Sequence, residues 1–231
     1  MATQTCVVLA GGLGTRLKSA VPDLPKCLAP VGARPFLEIQ LQALARQGFG
    51  RFVLSLGHQA ELVQAAVGRF RVDATIECIV ESAPLGTGGA VAFAMREAGL
   101  DEAAVVNGDT FLEADLAAML VPLRRDAGEQ FRMATIAVPD RARFGGVALD
   151  GPVVTAFVEK GHGGPGLINA GLYRLHVDAF AGFAPGTAFS METQVMPALL
   201  PRRALHAATL QGAFIDIGVP EDYHRFCADH A

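Results

Sequence analysis

A glycine-rich turn, one lysine among prolines and two aspartates are the residues whose types and settings could do chemistry. The turn runs Ala10, Gly11, Gly12, Leu13, Gly14, Thr15, Arg16, and it follows the apolar run that ends at Leu9 and Ala10. With so few Cβ atoms, backbone N–H groups can approach an anion closely, so the segment suits a phosphate. Two familiar phosphate loops can be tested against it. A dinucleotide fingerprint needs a third glycine where Leu17 stands, and a Walker A loop needs Gly-Lys-Ser where Leu17, Lys18 and Ser19 stand. Both fail by one residue. A tight strand-to-helix turn is the plainer alternative, but three glycines followed by an arginine exceed what a turn requires.

Asp109 follows AAVVNG, so it is expected where a buried strand emerges at its carboxyl end, the usual place for ligands in open α/β sheets. Asp216 lies inside the apolar run AFIDIG, where a carboxylate is costly unless it is paired or bound to a cation. Together they suggest a metal site. Mg2+ takes a small number of carboxylates and completes its octahedron with waters and substrate phosphate oxygens, which Asp109 and Asp216 could serve. Lys26 stands among Pro22, Pro25 and Pro30, a segment that cannot be helical throughout and that would hold the lysine on a stiff loop. A lone lysine is ordinarily just a solvated charge.

Other segments say less by themselves. ESAPLGTGGA places Pro84, Gly86, Gly88 and Gly89 in a loop opening a helix, which is punctuation plus an N-terminus. Glu159 and Lys160 end PVVTAFVEK, where alternation points them to opposite faces unless the strand twists or ends. Ser190 and Glu192 read as a helix N-cap and a favourable first-turn carboxylate. The six histidines, His58, His162, His176, His206, His224 and His230, form no HExxH motif or cluster and are expected at the surface or in loops. The nucleophile elbow GxSxG is absent.

The elements that must position these residues alternate. TCVVLA, FLEIQLQALARQ, RFVLSL, HQAELVQAAV, ATIECIV, GGAVAFAMREA, AAVVNGD and EADLAAMLVPLRR read as strands and helices in turn, implying βαβ units and a mostly parallel sheet. Gly48 and Gly68 follow the first two helical runs, where left-handed C-caps are expected. From about residue 131 the runs FRMATIAV, GGVAL, PVVTAFVEK and LINAGLYRL predict an antiparallel or mixed excursion. The chain then returns to helix and strand, with Pro220 placed for the first position of a closing helix.

At 231 residues and 51% apolar, the chain can bury a substantial core without disulfides or a structural metal. Its four cysteines form no CxxC pair, which fits a reducing cytoplasm. No leader, no apolar run of the ~18 residues that a membrane span requires and no basic block with interleaved aromatics are found, so neither membrane nor nucleic acid is an expected partner.

LAGGLGTRL followed by PKCLAPVGARP resembles the signature of the sugar-1-phosphate nucleotidyltransferases, and the resemblance continues through ESAPLGTGGA, VVNGD, FGGV, FVEK, INAGLY and FIDIG, essentially the whole chain. It implies a single domain over 1–231 with a Rossmann-like, mostly parallel mixed sheet flanked by helices and a small antiparallel sugar-binding excursion. Residues 1–130 would mainly bind nucleotide, and 131–231 would bind sugar and close the fold. By this resemblance Leu9, Ala10, Gly11, Gly12, Gly14 and Thr15 hold the nucleotide, and Arg16 and Lys26 neutralise the triphosphate and departing pyrophosphate. Gly86 and Thr87 meet the base edge, with Glu81 lining the pocket. Asp109 and Asp216 hold Mg2+. Glu159 binds sugar hydroxyls, Lys160 the sugar phosphate, and Asn169 and Gly146 complete the sugar pocket.

The implied reaction is attack by a sugar 1-phosphate oxygen on the α-phosphorus of a nucleoside triphosphate, releasing pyrophosphate. The acceptor is already ionised at neutral pH, so alignment and charge stabilisation rather than a general base are expected. The short length and the ending FIDIGVPEDY look most like bacterial D-glycero-D-manno-heptose 1-phosphate guanylyltransferases, which would mean GTP, a heptose 1-phosphate and a product for capsule or surface-layer polysaccharide; a homo-oligomer is compatible with this. The alternatives are a hexose 1-phosphate with GTP, UTP, CTP or dTTP, a non-catalytic nucleotide-sugar sensor, and a nicotinamide oxidoreductase, which Leu17 disfavours.

Overall fold

The computed structural model describes residues 3–12, 14, 17 and 19–230. In chain order they form β1 (Gln4–Leu9), β2 (Pro30–Val31), β3 (Arg34–Pro35), α1 (Phe36–Arg46), β4 (Phe49–Leu56), α2 (Ala60–Val67), β5 (Thr75–Val80), α3 (Gly86–Glu97) and β6 (Glu102–Asn107). There follow β7 (Thr110–Ala114), α4 (Ala117–Leu120), β8 (Phe131–Val138), β9 (Gly146–Asp150), β10 (Val153–Val158), β11 (Gly166–His176), α5 (Met196–Leu199), β12 (Leu205–Leu210), β13 (Gly212–Asp216) and α6 (Pro220–His230). No described helix is long and apolar enough to cross a membrane.

Nine strands make one mixed sheet in the order β5-β4-β1-β6-β11-β8-β12-β10-β9. β5, β4, β1 and β6 run parallel, as the alternating elements imply. Their sequences are continuously apolar because both faces are covered. Cys6 and Val8 pack under α1 and α2, while Val7 between them packs with Val91, Ala94 and Met95 of α3 on the opposite face. The other half is the expected mixed excursion: β11 is antiparallel to both β6 and β8, β12 is parallel to β8, and β10 is antiparallel to β9. A further pairing of β9 with β11 joins the ends of this run into a small ring. β7 and β13 stand apart as an antiparallel pair.

A third apolar cluster, with Leu17, Val21, Ala29, Val31, Phe36, Ile39, Phe111, Ile217, Tyr223 and Phe226, docks α6 and the proline segment onto α1 and the β7–β13 pair. Phe226 meets Phe36 and Phe111 edge-on at 5.1 and 5.0 Å, and the Tyr223 hydroxyl donates to the Pro30 carbonyl at 2.5 Å.

Three local expectations need correction. Gly48 has a positive φ, but Gly68 caps α2 at φ −60, in the ordinary helical region, so that end makes no use of a left-handed glycine. EADLAAMLVPLRR is not one helix. Glu113 and Ala114 are taken by the ladder with β13, and Pro122 bars the helix from continuing beyond the four residues of α4. The carbonyls this exposes are met by arginines: Arg132 donates to Ala118, Val121 and Pro122, and Arg174 to Met119. His206 is no surface residue; it lies buried on β12, 3.8 Å from Glu129.

Glu129 is fully buried and receives Nε and Nη2 of Arg132, each at 2.7 Å, and the Arg124 N–H at 2.6 Å. Burial pushes its carboxyl up, but the hydrogen bonds from Arg132 and Arg124 and the charges of Arg132 and His206 outweigh that and leave it below its ordinary value. Glu129→Ala strands the Arg132 guanidinium and is expected to cost about 3–5 kcal/mol, read as a lower urea midpoint at pH 7. Because the folded pKa lies below the unfolded one, the stabilisation is fully present above about pH 4.3 and fades as pH falls through the folded value. Parent and variant should therefore converge in acid. Equal midpoints at pH 7 would show the buried pair to be dispensable.

Candidate active site

The chain runs from β1 outward through β4 to β5 and then returns to place β6 on the other side of β1, so a crevice opens beyond the carboxyl ends of β1 and β6. A cleft of about 400 Å³ occupies it. Leu9, Ala10, Gly11, Gly12, Gly14, Lys26, Glu81, Gly86, Thr87 and Asp109 all line this cleft. Thr15 and Arg16 lie outside the described residues.

The floor depends on a close approach of backbones. The Gly108 N–H donates to the Leu9 carbonyl at 2.9 Å. A Cβ on Gly108 would lie 2.4 Å from that same oxygen, so only glycine lets the two strand ends converge. Asp109 follows directly and emerges into the cleft. Asp216, far away in sequence, pairs with Thr110 in the β7–β13 ladder. The Ile217 N–H donates to the Asp109 carbonyl at 2.9 Å, and the Asp216 carboxylate accepts the Gly218 N–H at 2.7 Å. The structure thus brings the two expected metal ligands onto adjacent backbone.

Lys26 opens a short 3-10 turn (Lys26–Leu28) after extended Pro25, and its Nζ contacts Asp109 Oδ2. Among the described residues no three His, Cys, Asp or Glu side chains gather as metal ligands. Two carboxylates on adjacent segments suit Mg2+, which draws its remaining oxygens from water and phosphate, better than a metal held wholly by protein. Cys27 also lines the cleft, but burial pushes its thiol up to about 12, so it is not a thiolate nucleophile.

The glycines of ESAPLGTGGA serve packing. Phe189 lies against them: a Cβ on Gly86 would meet its carbonyl oxygen at 2.6 Å, and one on Gly88 its ring at 2.5 Å. The Phe189 carbonyl accepts the N–H groups of Gly88 and Gly89, which removes them from any ligand. The Thr87 hydroxyl donates to Glu192 Oε2 at 2.6 Å and accepts the Met191 N–H. Ser190 is the expected N-cap, accepting the Thr193 N–H, and its hydroxyl donates to Glu192 as well. Glu192 therefore lines the cleft, which its place in a helix first turn does not announce. Glu81, just past β5, accepts the Leu85 N–H, and burial pushes its carboxyl above its ordinary value.

The expected sugar residues do not line the cleft. Gly146 opens β9 opposite Val158, and Glu159 and Lys160 follow at the exposed end of β10, so these three gather at one corner of the strand ring. The strand has ended before Glu159, so alternation does not govern the pair. Asn169 sits where β11 bulges away from β8, and its amide donates to the Tyr173 hydroxyl at 2.9 Å. The side chain of Asn107, a cleft residue, lies near that hydroxyl. Asn107, Tyr173, Ser55 and His58 were not legible as site residues, since nothing in their local sequence marks them.

The family described as nucleotidyl transferase matches residues 5–231. The chain belongs to that family. It is 36% identical to the D-glycero-alpha-D-manno-heptose 1-phosphate guanylyltransferase of Campylobacter jejuni, over 95% of this chain and 97% of that protein. With the protein of the same description from Aneurinibacillus thermoaerophilus it shares 32% over 95% of each. The crystal structure of HddC from Yersinia pseudotuberculosis superposes with a TM-score of 0.85 at 34% identity, covering 99% of this chain and 100% of that one. HddC complexed with GMP-PN superposes at 0.84 and 33%, with the same coverage.

In this nucleotidyl transferase Gly108 is the tightest point of the cleft floor. Gly108→Ala forces the ends of β1 and β6 apart and is expected to cost about 1–3 kcal/mol, measured by urea unfolding. An unchanged midpoint would show that the strand ends separate freely.

Proposed function

We propose that this chain transfers the guanylyl group of GTP to D-glycero-α-D-manno-heptose 1-phosphate, releasing pyrophosphate. The observation that carries the reading is the meeting of Lys26 and Asp109 in a cleft that Glu81 and Glu192 also line, with Asp216 held on the backbone beside Asp109. The two ends differ in charge character as the two ends of GTP do. Carboxylates accept only, and guanine offers adjacent N–H donors, whereas the lysine end suits phosphates. The relatives named as heptose 1-phosphate guanylyltransferases align over nearly the whole chain, which supports the same chemistry here.

An acceptor phosphate oxygen attacks the α-phosphorus and the bond to the pyrophosphate oxygen breaks, with no covalent enzyme intermediate. Lys26 offers its ammonium to phosphate oxygens, exchanging its contact with Asp109 for the triphosphate. Arg16, on the glycine turn, is assigned to the same anion. Asp109 and Asp216 would hold Mg2+, which would neutralise charge on the phosphate oxygens. Gly146, Glu159, Lys160 and Asn169 are assigned to the sugar phosphate from the strand-ring side. The product would supply surface-polysaccharide glycosyl transfer, and the four free cysteines fit a reducing cytoplasm.

A second reading, a mannose acceptor, draws on 33% identity to the mannose-1-phosphate guanylyltransferase of Mycobacterium tuberculosis, over 96% of this chain and 63% of that protein. A pyrophosphate-release screen of four nucleoside triphosphates against hexose and heptose 1-phosphates with Mg2+ separates the two. GTP with a manno-configured heptose phosphate is expected to react far above all other pairs, and equal turnover with mannose 1-phosphate would replace the heptose reading. Asp109→Ala and Asp216→Ala should each lower kcat by orders of magnitude with the circular-dichroism spectrum unchanged. Near-parental kcat in either variant would sink the metal assignment.

A further inference from the structure

Gln40 is a polar side chain on α1, 2% exposed, in a helix whose buried residues are mostly the apolar ones that seat it. Its Nε2 donates to two main-chain oxygens of a single turn, Asn107 at 2.9 Å and Thr110 at 2.5 Å. These carbonyls flank Asp109 on either side. The same turn is tied by the Gly108 N–H to Leu9 and by the Asp109 carbonyl to the Ile217 N–H. Among the hydrogen bonds that fix the backbone from Asn107 to Thr110, those of Gln40 come from a side chain.

The other half of the amide shows what this arrangement costs. Gln40 Oε1 is buried with no hydrogen-bond partner among the described residues, although a buried polar atom without a hydrogen bond is unfavourable. Turning the amide over would set Oε1 against two carbonyl oxygens, so the orientation is fixed by the turn. A leucine or methionine would fill the same stripe of α1 without an orphan oxygen. Helix packing therefore does not account for a glutamine at this place, whereas the two carbonyls beside Asp109 do.

We propose that Gln40 is a positioning residue for the cation site: it holds the Asn107–Thr110 turn so that the Asp109 carboxylate stays aimed into the cleft. The inference rests on the guanylyl-transfer reading and on a divalent cation at Asp109. Groups that orient a metal-binding carboxylate without touching the metal commonly change affinity or activity by about 10–100-fold when removed.

The test is Gln40→Met, which keeps length and volume and removes both donors. Mn2+ binding to the substrate-free protein is followed by electron paramagnetic resonance, alongside kcat, the KM for GTP and the thermal midpoint. The expected result is a Mn2+ dissociation constant raised at least about tenfold and kcat lowered about 10–100-fold, with the KM for GTP within a few-fold of the parent. A merely structural Gln40 would instead lower the thermal midpoint and leave kcat and Mn2+ affinity within twofold, and that result overturns the proposal. Should Gln40→Met fail to fold, Gln40→Asn, which withdraws the amide by one carbon, is read in the same way. Asp109→Asn separates the two levels. Parental Mn2+ affinity in that variant overturns the cation assignment and this inference with it, while lost affinity there beside parental behaviour in Gln40→Met overturns the role of Gln40 alone.

Discussion

Asp216 stands opposite Thr110 because β13 pairs with β7, and the rest of the site depends on that short antiparallel ladder. Neither strand belongs to the nine-stranded sheet, and an isolated two-stranded ribbon is only marginally stable in water. The ladder is held because Phe111 and Ile217 from its two sides enter one apolar cluster with Phe36 of α1 and Phe226 of α6. The closing helix is thus part of the site's foundation although it is not among the cleft residues. Leu17, Val21, Ala29 and Val31 join the same cluster, so the segment bearing Lys26 is anchored by the residues that anchor the carboxylates. One small core therefore sets the lysine and both aspartates together, and the Lys26 ammonium offsets like charges that would otherwise repel.

The two halves of the sheet contribute differently to the cleft. On the parallel side, strands buried on both faces deliver backbone to one edge, and Gly108 lets β1 and β6 meet there without a side chain between them. On the other side β11 does the bridging. Its upper half pairs with β6 and its lower half with β9, and the bulge between Asn169 and Tyr173 lies between those pairings. The hydroxyl of Tyr173, buried, bonded to Asn169 and near the side chain of Asn107, sits between a cleft residue of the parallel half and the strand ring. Burial pushes that phenol up, so it stays protonated and serves as a neutral hydrogen-bonding group.

The features legible in the sequence were local. A glycine-rich turn after an apolar strand, a strand ending in Asp109 and runs of alternating period each leave a mark within a dozen residues, and the cleft and the mixed sheet follow from them. Relations set by pairing across the fold left no such mark. Gln40 reads as one polar residue in an amphipathic helix, and Glu192 as a first-turn carboxylate, until Thr87 is found against it. His206 reads as a surface histidine because its partner Glu129 is on another strand connection. The glycines of ESAPLGTGGA were legible as glycines, but not that Phe189 is what they accommodate.

That last relation shapes the wall facing Lys26. The Phe189 carbonyl satisfies the N–H groups of Gly88 and Gly89, so two of the first-turn donors that helix N-termini often offer to anions are already used in α3. Carboxylates stand there instead: Glu192, fixed by two hydroxyl donors, and Glu81, which accepts the Leu85 N–H. A phosphate approaching this wall would meet carboxylates, with the Gly88 and Gly89 N–H groups already taken, while the end near Lys26 offers an ammonium. The charge arrangement therefore favours, on the proposed guanylyl-transfer reading, a nucleotide with its phosphates toward Lys26 and the Asp109 turn and its base toward α3.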